Sequence, residues 1–264
     1  MEHRSQYGGC GIILAKKRQG NSLTRIYFPD EIPAHGVCEI RDEHAHYLTR
    51  VLRVQPGHAI VLFDGRGGEH QAIVAAVTKQ AVQLNVGDRV EIDRESPLVI
   101  HVAQGISSGE RMDYTVQKAV ELGVARIQPL STERSVVHLD AQRAAKRVAH
   151  WQSVAVAACA QCGRNRVPEV APVMSYRTWL GSLREDTAAR LLLSPLAPRR
   201  LHDLARPTGR VWLLCGPEGG LAPAEHSDAE QAGFTGVRLG PRVLRTETAA
   251  LAALAALQTL WGDF

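Results

Sequence analysis

Two short loops concentrate the residue types that do chemistry. Cys215-Gly216-Pro217-Glu218-Gly219-Gly220 follows the apolar run Arg210 to Leu214, and Gly240-Pro241-Arg242-Val243-Leu244-Arg245-Thr246-Glu247-Thr248 follows a second run, Gly236 to Leu239. Glycine lets backbone amides and carbonyls come close to a ligand, and Pro217 and Pro241 stiffen the loops. In open α/β sheets, ligands bind beyond the carboxyl ends of strands, where loops of this kind converge. The second loop adds two arginines and a glutamate at the head of a helix, which supplies a cation for developing negative charge and a carboxylate able to take a proton. A glutamate in a first helical turn also complements the helix dipole, so Glu247 has a structural reading beside the chemical one, and Glu218 likewise reads as loop-shaping or ligand-facing. Neither loop has the G-x-G-x-x-G spacing of a dinucleotide site or the G-K-[ST] of a P-loop, which disfavours a phosphate cradle.

Other constellations carry less. Cys159 and Cys162 form a C-x-x-C, but zinc needs two further ligands at matching spacing, and a redox pair should open a helix where these close one. The eleven histidines show no H-E-x-x-H or comparable ligand spacing, so no metal is expected. The net charge of +4 is too small by itself to call for a nucleic-acid partner. It is concentrated, however, between Arg134 and Arg166, where six basic residues face Asp140 alone.

The elements that must position the loops follow from periodicity. From Arg25 to Val86 short alternating runs (Arg25 to Phe28, His58 to Phe63, His70 to Val77, Ala81 to Val86) predict a small β-barrel interrupted by a helix from Asp42 to Leu52. The polar stretch Asp88 to Pro97 reads as a linker. Beyond it strands alternate with helices: Leu98 to Val102, a helix from Glu110 to Leu122 closed by Gly123, a strand from Ala125 to Pro129, then a long helix from Asp140 to Cys162 capped by Gly163. Strands at Arg190 to Leu193, Arg210 to Leu214 and Gly236 to Leu239 bracket a helix from Pro223 to Ala232, and an Ala/Leu-rich helix from Thr246 to Trp261 closes the chain. This alternation predicts a mostly parallel sheet covered on both faces.

A chain of 264 residues exceeds a comfortable single core and fits a small domain plus a medium one. The expected division is a poorly ordered extension over 1–22, a barrel over 23–90 and a larger domain over 97–264. Apolar residues make up 45% and charged residues 22%, ordinary for a globular enzyme. Five scattered cysteines point to a reducing cytoplasm, and no apolar run approaches the ~20 residues of a membrane span.

The phrases Leu213 to Leu221 (LLCGPEGGL) and Leu239 to Leu251 (LGPRVLRTETAAL), with Lys118 to Arg134 and Cys162 to Glu169 (CGRNRVPE), resemble the signature of the small-subunit ribosomal RNA methyltransferase E family of the SPOUT class. The resemblance runs from Arg25 to Phe264. It implies an α/β fold in which a SPOUT-type knotted parallel-sheet methyltransferase domain follows a small N-terminal PUA-like, RNA-binding β-barrel. It also implies S-adenosylmethionine as cofactor, N3 of a uridine in 16S rRNA of the small ribosomal subunit as target, and a homodimer with the active site at the interface.

Carried residue by residue, the resemblance puts the cofactor against Leu193 and Ser194, against Leu214, Gly216, Pro217, Glu218, Gly219 and Gly220, and against Leu239, Gly240, Arg242, Val243 and Leu244. It turns Arg164 and Asn165 towards the target uridine, and Arg166 joins them as an RNA contact. Arg245 would stabilise charge spreading onto O2 or O4 of the base, and Glu247 would be the general base. The chain departs from the family's pattern at Ala160, where members often carry Glu, and at Ala222, where a Ser-like cap is common. Two other readings stay open on sequence alone: a knotted enzyme that methylates a ribose 2′-hydroxyl, and a non-catalytic RNA-binding ribosome-assembly protein.

Overall fold

The computed structural model describes residues 23–137, 139–183 and 186–264, apart from the side chains at 42, 43, 44 and 47. The expected poorly ordered extension, 1–22, lies outside them. The chain divides into two compact units: one runs to Arg94 and takes in Val156–Val167, and the other comprises Glu95–Ala155 and Pro168–Phe264. The linear reading had kept 156–167 with the later part of the chain.

The first unit holds strands β1 (Thr24–Tyr27) and β2 (Gly36–Arg41), helix α1 (Asp42–Arg50), and strands β3 (Ala59–Phe63), β4 (Glu69–Val77) and β5 (Ala81–Val90). They form a five-stranded sheet in the order β1-β3-β4-β5-β2, antiparallel except where β1 runs parallel to β3. Residues of β4 and β5 alternate between buried and exposed, as a strand with one apolar face must. Their inward set, Ala72, Val74, Val82, Leu84 and Val86, packs with Ile26, Ile40, Leu48, Ile60 and Leu62 into one core. Two features depart from expectation. Strand β2 was missed, because only Cys38 and Ile40 point inward in a six-residue stretch that also carries Glu39 and Arg41. Strand β5 runs on to Val90, into the expected linker, because Val90 and Arg89 pair with Glu69 and His70 of β4.

The second unit begins with β6 (Ile100–Gly105), α2 (Glu110–Glu121), β7 (Arg126–Ser131) and the long α3 (Ala141–Cys162), whose final turns from Val156 belong to the first unit. There follow β8 (Glu169–Val170), β9 (Met174–Ser175), α4 (Tyr176–Ser182), β10 (Ala189–Leu193), β11 (Arg199–Arg200), β12 (Val211–Cys215), α5 (Pro223–Gln231), β13 (Thr235–Arg238) and α6 (Thr246–Trp261). The sheet order is β11-β13-β10-β12-β6-β7-β8, and every pairing among the described residues of this sheet is parallel. Burial on both faces explains why β12, Val-Trp-Leu-Leu-Cys, is apolar at every position and buried at every position.

Helix ends behave as their sequences demand. Gly123 and Gly163 follow α2 and α3 with φ of 81° and 95°, conformations only glycine adopts at little cost. At α5, where Ala222 offers no capping oxygen, the Glu225 carboxylate accepts from the Ala222 amide at 3.0 Å and from the Glu133 amide at 2.9 Å. The weaker cap is thus compensated within the first turn. No helix among the described residues is long and apolar enough to cross a membrane.

Candidate active site

Strands β13, β10 and β12 lie side by side, and the loops that leave their carboxyl ends enclose a cleft of about 700 Å³. A volume of this size is typical of small-molecule sites. Leu193 and Ser194 line it after β10, Gly216 to Gly220 after β12, and Leu239, Gly240, Arg242, Val243, Leu244 and Arg245 after β13. The residues singled out in the sequence for cofactor and catalysis therefore converge, with two exceptions. Leu214 points into the core beside Trp179, Leu192 and Phe234. Glu247 sits one residue inside α6, and its Oε2 atom is buried with no hydrogen-bond partner among the described residues.

Glycine is required here for two different reasons. A Cβ on Gly216 would stand 2.9 Å from the Gly220 carbonyl carbon and the Leu221 nitrogen, so the loop can fold back on itself only without one. At Gly220 (φ 67°) and Gly240 (φ 127°) a Cβ would meet nothing within 4 Å. Both face open space with backbone in a conformation that other residues rarely adopt.

The loop after β12 is held from three sides by residues that periodicity did not mark. Gln104, fully buried at the end of β6, donates from Nε2 to the Gly216 carbonyl (3.2 Å) and to Thr246 Oγ1 (2.9 Å), and the Thr246 hydroxyl donates to the same carbonyl (2.6 Å). Glu218 Oε1 accepts from the Ser108 amide and hydroxyl, both at 2.8 Å, and from Arg111 at 2.9 Å. Arg134 donates to the Gly219 carbonyl at 3.2 Å, and its Cβ stands 3.2 Å from where a Cβ on Gly219 would lie. The one signal that would have exposed Gln104 is an amide inside an otherwise apolar strand, Ile-His-Val-Ala-Gln-Gly. Arg111 and Arg134 carried no signal beyond their charge.

These contacts settle the chemistry of Glu218. Partial burial would raise its carboxyl, but the Ser108 and Arg111 donors outweigh that and hold it down from 4.5 to about 2. Its folded value is depressed, so its contribution to stability is complete above the unfolded value and disappears as pH falls through the folded one. Glu218→Gln is expected to lower the melting temperature at pH 7, with the gap to wild type closing between about pH 4.5 and 2. Thermal melts of both proteins across that range check it, and a pH-independent gap would count against the ion pair.

Arg164 and Asn165 belong to the first unit and do not present their side chains to solvent: they are 5% and 2% exposed. Asn165 Oδ1 accepts from Arg25 at 2.5 Å, and its Nδ2 donates to Glu69 Oε2 (3.1 Å) and to the Ile92 carbonyl (3.0 Å). Glu69 also binds Arg25 (2.5 Å) and Arg94 (3.2 Å). Burial raises the Glu69 carboxyl, but these donors prevail and lower it. Arg166, by contrast, is exposed.

A family model described as an RNA methyltransferase domain matches residues 94–258, and another described as an RNA methyltransferase PUA domain matches residues 40–91. The chain belongs to the ribosomal RNA small subunit methyltransferase E family. It is 31% identical to the member from Buchnera aphidicola over 93% of this chain and 97% of that one, and 33% identical to the member from Bacillus subtilis over 83% and 88%. Among solved structures, the Neisseria gonorrhoeae methyltransferase E bound to S-adenosyl methionine superposes with a TM-score of 0.86 at 44% identity, over 92% of this chain and 100% of that one. A Legionella pneumophila protein in complex with the bound cofactor SAM gives 0.87 at 39%, with the same coverage. Membership of the methyltransferase E family accounts for both units, since the PUA match falls within the five-stranded sheet and α1, and the methyltransferase match spans the parallel sheet.

Proposed function

We propose that this chain methylates N3 of a uridine in 16S rRNA with S-adenosylmethionine as the methyl donor. The observation that carries the reading is the cleft beyond β13, β10 and β12, with Arg245 at its rim, in a chain of the methyltransferase E family. The donor fits this cleft, because Gly220 and Gly240 leave open the space that side chains would fill. Gly216, Gly219, Leu239 and Leu244 are positioned to hold it through backbone groups and apolar contact. Bound there, S-adenosylmethionine supplies a sulfonium-activated methyl group.

The residues of the chain do the rest. N3 of uridine carries a weakly acidic proton between two carbonyls, and that proton must leave as the new N–C bond forms. Arg245 stabilises the negative charge that spreads onto O2 or O4, and Glu247, outside the cleft lining in this structure but with a buried Oε2 that has no partner among the described residues, is assigned to take the proton. Glu218 is already committed to Ser108 and Arg111 and acts by holding its loop. Arg166 contacts RNA, while Arg164 and Asn165 shape the turn that carries it. In this reading the enzyme works as a cytoplasmic homodimer on the small ribosomal subunit, and its second unit carries the trefoil knot of the SPOUT class.

Mass-spectrometric nucleoside analysis of 16S rRNA from a strain lacking this protein tests the reading. 3-Methyluridine is expected to vanish and to return when the wild-type chain is restored. Unchanged 3-methyluridine together with a lost ribose methylation would replace the base target by a 2′-hydroxyl.

A further inference from the structure

The loop Asp64-Gly65-Arg66-Gly67-Gly68 between β3 and β4 has three consecutive features that a plain hairpin turn does not need. Gly65, Gly67 and Gly68 all have positive φ (83°, 111° and 70°). The loop pairs with the 165–167 segment: the Val167 amide donates to the Gly65 carbonyl and the Gly67 amide to the Asn165 carbonyl, both at 3.1 Å, with Arg66 and Arg166 bridged antiparallel. Two guanidinium groups lie against the bare glycines. A Cβ on Gly67 would stand 3.1 Å from Cζ and Nη2 of Arg166 and 3.4 Å from its Nε, and a Cβ on Gly68 would stand 2.7 Å from Nε of Arg89, 3.1 Å from its Nη2 and 3.3 Å from its Cζ. These distances put the Arg166 guanidinium broadside over Gly67, whereas Arg89, whose Nε and Nη2 are both nearer than its Cζ, turns the edge of its fork towards Gly68.

Backbone carbonyls then fix these planes. Arg166 donates to the Arg66 carbonyl at 3.0 Å and Arg89 to the Gly67 carbonyl at 2.9 Å. Arg66, Arg89 and Arg166 nevertheless remain exposed, with side-chain exposures of 65% for Arg66 and 49% for Arg89. Two acids face the group: Glu91 pairs with Arg89 at 2.8 Å, and Asp64 stands 4.0 Å from Arg66. An arginine held in place before binding loses less rotamer freedom when it grips an anion, and its planar fork matches phosphate oxygens two at a time.

We propose that Arg66, Arg89 and Arg166, the last two seated on Gly68 and Gly67, form a clamp for RNA backbone phosphates in which a phosphate displaces Glu91 from Arg89. This rests on the reading of the chain as an rRNA methyltransferase and names a place where its substrate is gripped. The clamp requires planar, seated guanidiniums and not merely positive charge, so it separates from general electrostatic attraction.

The test is binding of in vitro transcribed 16S rRNA to the full chain, measured between about 50 and 200 mM KCl, with S-adenosylmethionine affinity followed separately by calorimetry. Arg66→Gln and Arg89→Gln are each expected to weaken RNA binding roughly fivefold and to reduce the salt slope by about 1. Arg89→Lys, which keeps the charge, and Gly67→Ala, which unseats Arg166 with no change of charge, should weaken it comparably, while Glu91→Gln should tighten it. S-adenosylmethionine affinity should stay within twofold throughout. If Arg89→Lys binds as wild type, the seated clamp is overturned, even where Gly67→Ala fails to fold. If the wild-type chain binds neither the RNA nor S-adenosylmethionine, the reading beneath the clamp falls with it.

Discussion

Arg245→Ala is expected to lower the methylation rate by about 10²–10³-fold while leaving the fold and the binding of S-adenosylmethionine nearly intact. The magnitude is that of removing one preorganised donor from a site where charge develops. The geometry says why the loss should fall on the chemical step. Arg245 is the N-cap residue of α6, its backbone extended at φ −64°, ψ 154°, and its exposed side chain lines the cleft. Among the described residues no carboxylate or carbonyl holds its guanidinium, so truncation breaks no internal contact and should cost little stability. Single-turnover rates on purified small subunits, with calorimetric titration of S-adenosylmethionine, separate the two effects. An unchanged rate would move charge stabilisation to another group, and a lost affinity would make Arg245 a binding residue. Arg245→Lys should recover only part of the rate, because a point charge replaces a planar fork.

Gln104→Leu should act in the opposite way, chiefly on binding and stability. The side chain is completely buried, and its Nε2 reaches the Gly105 carbonyl (3.0 Å), the Gly216 carbonyl and the Thr246 hydroxyl. Leucine has similar bulk but no donor, so buried acceptors lose a partner at about 1–3 kcal/mol. The backbone there has no freedom to compensate: a Cβ on Gly105 would lie 2.5 Å from the nitrogen and Cδ of Pro217. Because the amide ties the loop after β12 to the first residue of α6, S-adenosylmethionine affinity is expected to fall at least about tenfold, the equivalent of ~1.4 kcal/mol. Urea unfolding and calorimetry on the same protein check both figures. An unaltered affinity beside lowered stability would reduce Gln104 to a packing residue.

Much of this was legible in the sequence. Periodicity located the long helix and its Gly163 cap, the helix opening at Pro223 and the final helix, and glycine-rich loops after apolar strands located the cleft. These signals are local, and local physics decides them. What escaped depends on partners far away in the chain. The resemblance turned Arg164 and Asn165 towards the target uridine, yet Asn165 is buried against Glu69 and Arg25, which stand 96 and 140 residues before it. Leu214 belongs to the right strand but faces the core with Trp212 and Ala229. Strand β2 offered only two inward residues, and Gln104 was a single amide whose meaning required knowing that Gly216 and Thr246 come to it.

Helix α3 gives its early turns to one unit and its last turns, with the segment to Val167, to the other. Translation runs in one direction, so this arrangement sets an order of events on the ribosome that makes the protein. When Arg94 has been synthesised, Arg25, Glu69 and Arg94 are all present, but Asn165, which bonds Arg25 and Glu69, and the Gly163 carbonyl that accepts from Arg94 are not. The first unit is complete only after the whole Glu95–Ala155 stretch and the Val156–Val167 segment have been added. A gene fragment ending at Arg94 would therefore encode an unfinished module, and no single cut in the chain yields both units whole.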